Sequence, residues 1–572
     1  MSARGCLVPA AVRLFSALAL TATAGGAAIA AADEPPRLVL QITVDALRAD
    51  LPQRYLHEMG DGGFRLLMEQ GVHYRNAAWS HANTETIVGH ASLATGAYPA
   101  DHGMIGNLWF DRTLGRTVYN IEDPDYVLLT AGATVDASTE IDPTQRAAKV
   151  EGRSPRAILA STFSDELMIA TQGRAKVFGV SVKDRGAVSM AGHMGQAYWF
   201  SKSTGEFVTS SYYRDRYPAW VEAFNAAGPA TAYAGTRWTL MNAADSYLFG
   251  AMDDQPFETD FPGYGRTFPH AYGDAGDKYL TTRLTLGPAG DRMTLEFART
   301  LIREEALGQD AVPDYLSVSF SSNDYVSHVF GASSLEHEDN LLRLDATLAE
   351  LFAHVDETVG LEHTLIVLSA DHGTPEVPGY LNELGQDAAR YFDLEGTQKG
   401  LTAALEAQFG AGETLIESWS MPYLYLNDSQ IAAAGLDKAE VEGFVCSYLL
   451  GISGVAQAVS TSALRGNRVA PGALTQAVRH NDHVVRSGDI YLVLQPEIFV
   501  NDFDGLTVAS HHGSPWHYDR AVPVIFAGAG LAPQRVDRPV TPYDIAATLS
   551  AVLGIAAPSA SAGRPLEEVT TP

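Results

Sequence analysis

Four short stretches of this chain set carboxylates beside imidazoles or at the ends of apolar runs. "SSNDYVSHVFG" (321–331) holds Asp324 and His328 four residues apart, a spacing that places both on one face of a helix. "VLSADHGTPE" holds Asp371 and His372 side by side, "RLVLQITVD" ends at Asp45, and "ASHHGSPWHYD" carries His511 and His512. Carboxylate and imidazole suit zinc and similar divalent ions. Each stretch alone has an ordinary explanation: a helix cap, a solvated helix pair, a strand-end turn, a hydrogen-bonded loop histidine. Together they make six ligands, enough for two metal sites with positions left open. Two metals about 3.5–4 Å apart can stabilise both the entering and the leaving oxygen of an in-line displacement. "ANTETIVGHASLATGAYPADHGMIGN" (82–107) offers the hydroxyls of Thr84, Thr86, Ser92 and Thr95, and composition does not choose among them.

One further stretch, "SVKDRG", sets Lys183 and Arg185 around Asp184 in a chain with 39 Lys plus Arg against 68 Asp plus Glu. As an isolated tripeptide it reads as a solvated pair. In an extended chain, however, residues i and i+2 point the same way. Lys183 and Arg185 can then face one anion while Asp184 faces away. Arginine gives phosphate two parallel hydrogen bonds, and lysine adds a point charge.

The elements that must position these groups are apolar runs separated by helical patterns. Strand-like runs are expected at "RLVLQITVD", "AKVFGVSV" (175–182), "DYLSVSF" (314–320), "HTLIVLSA" (363–370) and "AVPVIFAG" (521–528). "DALRADLPQRYLHEMGDGGFRLLMEQG" follows the first with helical spacing, and "TPYDIAATLSAVLGI" (541–555) reads as an amphipathic helix capped by Thr541. "AYWFSKSTGEFVTSSYY" (197–213) reads as a hairpin turning at Ser203-Thr204-Gly205. The alternation predicts an α/β fold with a mixed, mostly parallel central sheet flanked by helices. Such sheets bind ligands at the carboxyl ends of their strands, where the polar clusters fall. "Glu336-His337-Glu338" is expected to be a solvated helix start.

The 572 residues carry a net charge of −29, which argues against non-specific binding to nucleic acid or acidic membranes. The N-terminus has Arg4 and Arg13, an apolar run near Leu14–Leu20 and small residues at Ala27–Ala32. That pattern predicts a cleaved secretory signal over 1–32 and a periplasmic or secreted protein. The apolar run falls short of the about 20 residues of a membrane span. Cys6 lies in the signal, leaving Cys446 as the thiol of the mature chain. The catalytic core is expected over 33–375 and again over 505–572, with 376–504 inserted as a smaller subdomain. Oligomeric state is not legible.

The spaced motifs resemble the alkaline phosphatase superfamily of two-metal phosphoryl- and sulfuryl-transfer enzymes. Thr86-Ile-Val-Gly-His90 resembles its Thr-x-x-Gly-His nucleophile motif, "PADHGMIGN" the following motif, and "DHG" and "HHGSPW" the last two metal motifs. The resemblance implies an alkaline phosphatase-like sandwich with two Zn2+ per chain. Asp324, His328 and His512 would hold one zinc, with His511 the adjacent alternative to His512. Asp45, Asp371 and His372 would hold the other, with Thr86 Oγ on it as nucleophile. Asn107 would help hold the phosphoryl group, and a phosphothreonine would form and then hydrolyse. No Cys/Ser-x-Pro-x-Arg sulfatase motif surrounds Thr86.

Thr-nucleophile members include phosphodiesterases (nucleotide pyrophosphatases) and a group of bacterial alkaline phosphatases, and Lys183-x-Arg185 resembles a motif of the latter. A phosphate monoester carries close to two charges, which two cations favour; they would also occupy the space of a diester's second group. The expected activity is therefore hydrolysis of small-molecule phosphomonoesters. The alternatives are a phosphodiesterase of the same fold and a non-catalytic anion-binding protein with a relict site.

Overall fold

The computed structural model describes residues 35–503 and 505–571; the segment read as a secretory signal lies outside them. A nine-stranded sheet runs through the molecule. Its strands in chain order are β1 (Leu38–Val44), β2 (Val72–Tyr74), β3 (Val177–Ser181), β4 (Gln196–Ser201), β5 (Glu206–Val208), β6 (Asp314–Phe320), β7 (Thr364–Ser369), β8 (Val524–Gly528) and β9 (Gln534–Val536). They lie side by side as β9-β2-β8-β7-β1-β6-β3-β4-β5. The central strands β7, β1, β6, β3 and β4 are parallel. Every residue of β1, β6 and β7 is buried, as near-continuous apolar runs covered on both faces require.

Register brings the ends of these strands to one edge. Val44 pairs with Phe320, Thr43 with Ser369, and Ser319 with Ser181. Strand β8 runs the other way, with Val524 opposite Ser369. Its amino end therefore reaches the edge where its neighbours have carboxyl ends, and the His511–His512 loop arrives there too. The edge hairpin β4–β5 turns within 202–205, with Gly205 at φ 74°, the left-handed conformation that favours glycine.

Residues 376–504 include a four-stranded antiparallel sheet: Ile416–Ser420, Tyr423–Leu426, Ile490–Leu494 and Val455–Ser460 in spatial order. Its side chains alternate between two cores. Leu424, Leu426, Ile490 and Leu492 pack with Leu401, Leu405, Val441 and Val445 of two helices in the same segment. Tyr423, Tyr425, Tyr491 and Val493 join Ile87, Val88, Met104 and Trp109 instead. From Pro35 onward the chain forms one compact unit.

Three local expectations change. The stretch after Asp45 gives two short helices, Leu51–Tyr55 and Phe64–Gln70; the turn between them is held by Asp345, which accepts the Gly60 N–H at 2.9 Å and the Phe64 N–H at 2.7 Å. The C-terminal helix spans Asp544–Leu553, and Thr541 precedes it, its N–H donating to Asp544 Oδ2 at 2.9 Å. Glu336, His337 and Glu338 are buried rather than solvated: Glu338 accepts the Leu248 and Phe249 N–H groups, and Glu336 meets His270 at 3.1 Å.

Candidate active site

Each metal-type side chain sits just beyond a strand end at the common edge. Asp45 follows β1, the helix Ser322–Phe330 carrying Asp324 and His328 follows β6, and Asp371 and His372 follow β7. Two points of convergence result. Asp324 Oδ1 lies 3.4 Å from His328 Nε2 and 3.3 Å from His512 Nε2. His372 Nε2 lies 3.4 Å from Asp45 Oδ1 and 3.4 Å from Asp371 Oδ2. His511 also enters the site: its ring lies 5.5 Å from that of His328, and His328, His511 and His512 form a third group with ligand spacing.

The donor set fits divalent cations. Asp45 Oδ1, Asp324 Oδ1 and His372 Nε2 are buried without a hydrogen-bond partner, and such atoms are costly unless a ligand satisfies them. Each imidazole has its Nδ1 on a backbone carbonyl: His328 on Ser510 at 2.7 Å, His372 on Gly373 at 2.9 Å and His512 on Thr84 at 2.7 Å. A carbonyl only accepts, so Nδ1 carries the proton and the Nε2 lone pair faces the site, as ligating histidines require. Burial, with Asp371 nearby, pushes the Asp45 carboxyl up to about 6. Such crowding of acids in a dry site favours bound cations.

The structure selects among the hydroxyls. Thr84 Oγ1 donates to Ser514 O, Thr95 Oγ1 to Ala91 O, and Ser92 Oγ pairs with His102. Thr86 alone of the four lines the cleft shared by Asn107, Arg185, Asp324, His328 and His512. It opens the helix Thr86–Thr95, and helix N-termini favour negative charge. Asn107 Oδ1 accepts the Ile87 N–H at 3.1 Å, which leaves its amide NH2 free. Arg185 Nη2 donates to Thr86 Oγ1 at 3.3 Å, Nη1 to Asp142 Oδ2 at 2.7 Å, and Nε is unpartnered.

Lys183 and Arg185 converge, but through a helix start rather than an extended chain. Lys183 caps the helix Asp184–Ala191, and Arg185 lies in its first turn. Asp184 turns away, accepting from Tyr119 Oη at 2.6 Å and Arg153 Nε at 2.7 Å. The Lys183 ammonium lies between the metal-type groups, 2.8 Å from Asp45 Oδ2 and paired with Asp324 Oδ2. It is fully buried, beneath the cleft that Arg185 lines.

Residues 39–515 match the family described as type I phosphodiesterase / nucleotide pyrophosphatase. The chain belongs to this family. Within the type I phosphodiesterase / nucleotide pyrophosphatase family, it is 34% identical over 537 residues to alkaline phosphatase PhoV of Synechococcus elongatus, covering 93% of both chains. It is 32% identical to a calcium-transporting ATPase of Myroides odoratus, covering 94% of this chain and 95% of that one. Among the described residues no helix is long and apolar enough to cross a membrane. The crystal structure of alkaline phosphatase PafA superposes with a TM-score of 0.84 at 30% identity, covering 94% of this chain and 99% of that one.

The structure also places residues that sequence reasoning left without a role. His90 bridges the Thr86 carbonyl (2.9 Å), Ser319 Oγ (2.9 Å) and Asp371 Oδ2 (3.1 Å). A Cβ on Gly89 would meet Asp371 O at 2.1 Å, so the Gly-His pair of the helix Thr86–Thr95 is what lets that helix press on the metal-type loop. Asp519 accepts the Gly513 and Ser514 N–H groups and shapes the loop after His512. The signal for His90 lay in its motif, that for Asp519 in the short loop after His512, and that for Asp142 only in a contact distant along the chain.

Proposed function

We propose that this chain is a secreted or periplasmic, two-zinc alkaline phosphatase that hydrolyses phosphate monoesters through a phosphothreonine on Thr86. Asp324, His328 and His512 would hold one zinc, and Asp45, Asp371 and His372 the other; zinc at these positions lowers the pKa of bound hydroxyls and offsets charge on the transferred group. Residues 376–504 are taken as a subdomain inserted into the catalytic core. The observation that carries the reading is the Arg185 Nη2 contact with Thr86 Oγ1, 3.3 Å, in the cleft where Asn107 has a free amide.

In this reading Thr86 Oγ attacks phosphorus in line with the departing alcohol. The Arg185 guanidinium and the Asn107 amide receive the non-bridging oxygens, and Asp142 holds Arg185 in place. The Lys183 ammonium, once Asp45 and Asp324 are engaged by cations, supports the same oxygens from below. Two cations suit a dianionic monoester better than a diester with one charge. A water then displaces Thr86 from phosphorus and releases phosphate. Catalysis is positioning and electrostatic stabilisation.

The family description keeps a phosphodiesterase as the second reading, with the same metal residues and with Lys183 and Arg185 incidental. The test is the rate on p-nitrophenyl phosphate against bis-p-nitrophenyl phosphate, using purified zinc-loaded protein. A clear diester preference would reverse the proposal.

A further inference from the structure

The cleft joins charged and apolar lining. Its charged lining residues, Asp142, Arg185 and Asp324, are tied to the Thr86 end by contacts of 2.7 Å (Arg185–Asp142), 3.3 Å (Arg185–Thr86) and 3.3 Å (Asp324–His512). The same cleft is also lined by the apolar side chains of Ile141, Phe261, Val329, Phe503, Leu506 and Val508. These come from four places far apart in sequence: the loop before 143, the stretch around 261, the helix that carries His328, and the paired strands Asp502–Phe503 and Leu506–Thr507 with Val508 after them. Phe503 sets its ring edge on His511 with centroids 4.8 Å apart. Beyond Phe503, His511 and His512 a second cleft continues with Leu494, Phe499 and Val500.

From this we infer that the alcohol part of the substrate is apolar: an aryl or extended alkyl phosphate monoester whose leaving group lies along the Phe261–Phe503 wall. The inference rests on the phosphomonoesterase reading, since that reading leaves one organic group to accommodate, on the side away from Arg185. Among the described residues that line the cleft, Arg185 is the one Lys or Arg, and it is engaged by Asp142 and Thr86, which leaves no such cation to meet a second phosphate or a carboxylate on the alcohol. A charged leaving group would lose water there and gain no partner. An apolar group gains in proportion to the area it buries, and aromatic rings add edge contacts with Phe261 and Phe503.

The experiment compares two substrates with nearly the same leaving phenol, 4-propylphenyl phosphate and phosphotyrosine. Their reacting centres match, and only phosphotyrosine carries charge on the distal end. Wild-type enzyme is expected to favour 4-propylphenyl phosphate in kcat/KM by about tenfold or more, the scale of one well-buried apolar group. Phe503→Ala and Phe261→Ala are each expected to shrink that ratio to about threefold or less, while inhibition by inorganic phosphate stays within about twofold. Phe503 is half-buried, so Phe503→Ala decides the matter if Phe261→Ala misfolds. A wild-type ratio near one overturns the inference. So does an equal loss on both substrates in the variants, which would mean that the wall only excludes water. If bis-p-nitrophenyl phosphate outpaces both monoesters, the phosphomonoesterase reading itself falls; equal turnover of the two monoesters leaves that reading intact.

Discussion

His372 and His512 stack face to face, with ring centroids 3.6 Å apart and planes inclined by 18°. One follows a strand that runs toward the site and the other precedes a strand that runs away from it. His372 Nε2 faces Asp45 and Asp371, and His512 Nε2 faces Asp324, while Asp324, His372 and His512 also form one group with ligand spacing. The stack therefore holds the two candidate metal positions side by side, and disturbing either ring affects both.

Chelation is the first consequence. Stripping divalent ions with EDTA is expected to abolish phosphatase activity and to lower the melting temperature, because three buried carboxylates lose their counter-charge. Zinc should restore both. Calorimetry with metal analysis checks this; unchanged melting after verified metal loss counts against the assignment of these residues as ligands.

Thr86→Ala is expected to remove the phosphoenzyme and reduce kcat by at least about a thousandfold. Mass spectrometry of acid-quenched wild-type enzyme should find a phosphoryl adduct on the peptide that contains Thr86. An adduct on another residue would reassign the nucleophile.

The double change Lys183→Ala with Arg185→Ala should cost about 1.5–3 kcal/mol per lost charge-assisted contact towards a monoester. Hydrolysis of a diester should change little. Steady-state kinetics on both p-nitrophenyl substrates measures the split, and an unchanged monoester rate favours the diesterase reading.

His90 acts through its neighbours. His90→Ala is expected to weaken metal binding by about 10–100-fold, the usual effect of removing a partner that orients a ligand. Titration against a chromogenic chelator reads this directly, independent of turnover.

Asp165 and His193 make a pH-dependent pair, 2.7 Å apart, just beyond the Lys-x-Arg helix. Burial opposes charge on both groups, but their mutual contact outweighs it, holding Asp165 below and His193 above their ordinary values. The Asp165 contribution is present above the usual carboxylate range and fades as pH falls through its lowered pKa. The His193 contribution is complete below the usual imidazole value of 6.5 and fades as pH rises through its raised pKa. His193→Asn should therefore destabilise the protein more at about pH 5.5 than at about pH 9. Urea denaturation at the two pH values checks it; equal losses would rule the pair out as a source of pH dependence.

Much of the sheet was legible because fully buried parallel strands are unbroken apolar runs. "DYLSVSF" coincides with β6, and β1 and β7 lie within the runs that end near Asp45 and Ala370. Helix limits after Asp45 and near Thr541 depart from the periodic pattern because Asp345, distant along the chain, takes the Gly60 and Phe64 N–H groups and a local turn precedes Asp544. The helix start at Glu336 was misread because partners for its carboxylates come from residues 248, 249 and 270, which no local pattern announces.

The sequence by itself determined the chemical inventory: acids and imidazoles placed just after apolar strands, a threonine followed by Gly-His, and two cations around one acid. Only the tertiary structure decided how they meet. Parallel register brought Asp45 to Asp371 and His372 across more than half the chain, and the reversed β8 delivered His512 to the same edge. The protein interior also gave the two cations different partners. Lys183 is drawn beneath the floor by Asp45 and Asp324, while Asp142 steers Arg185 to Thr86. The physical reason is that charges in a dry interior pair with whatever the fold brings near them, and spacing along the chain carries no record of those neighbours.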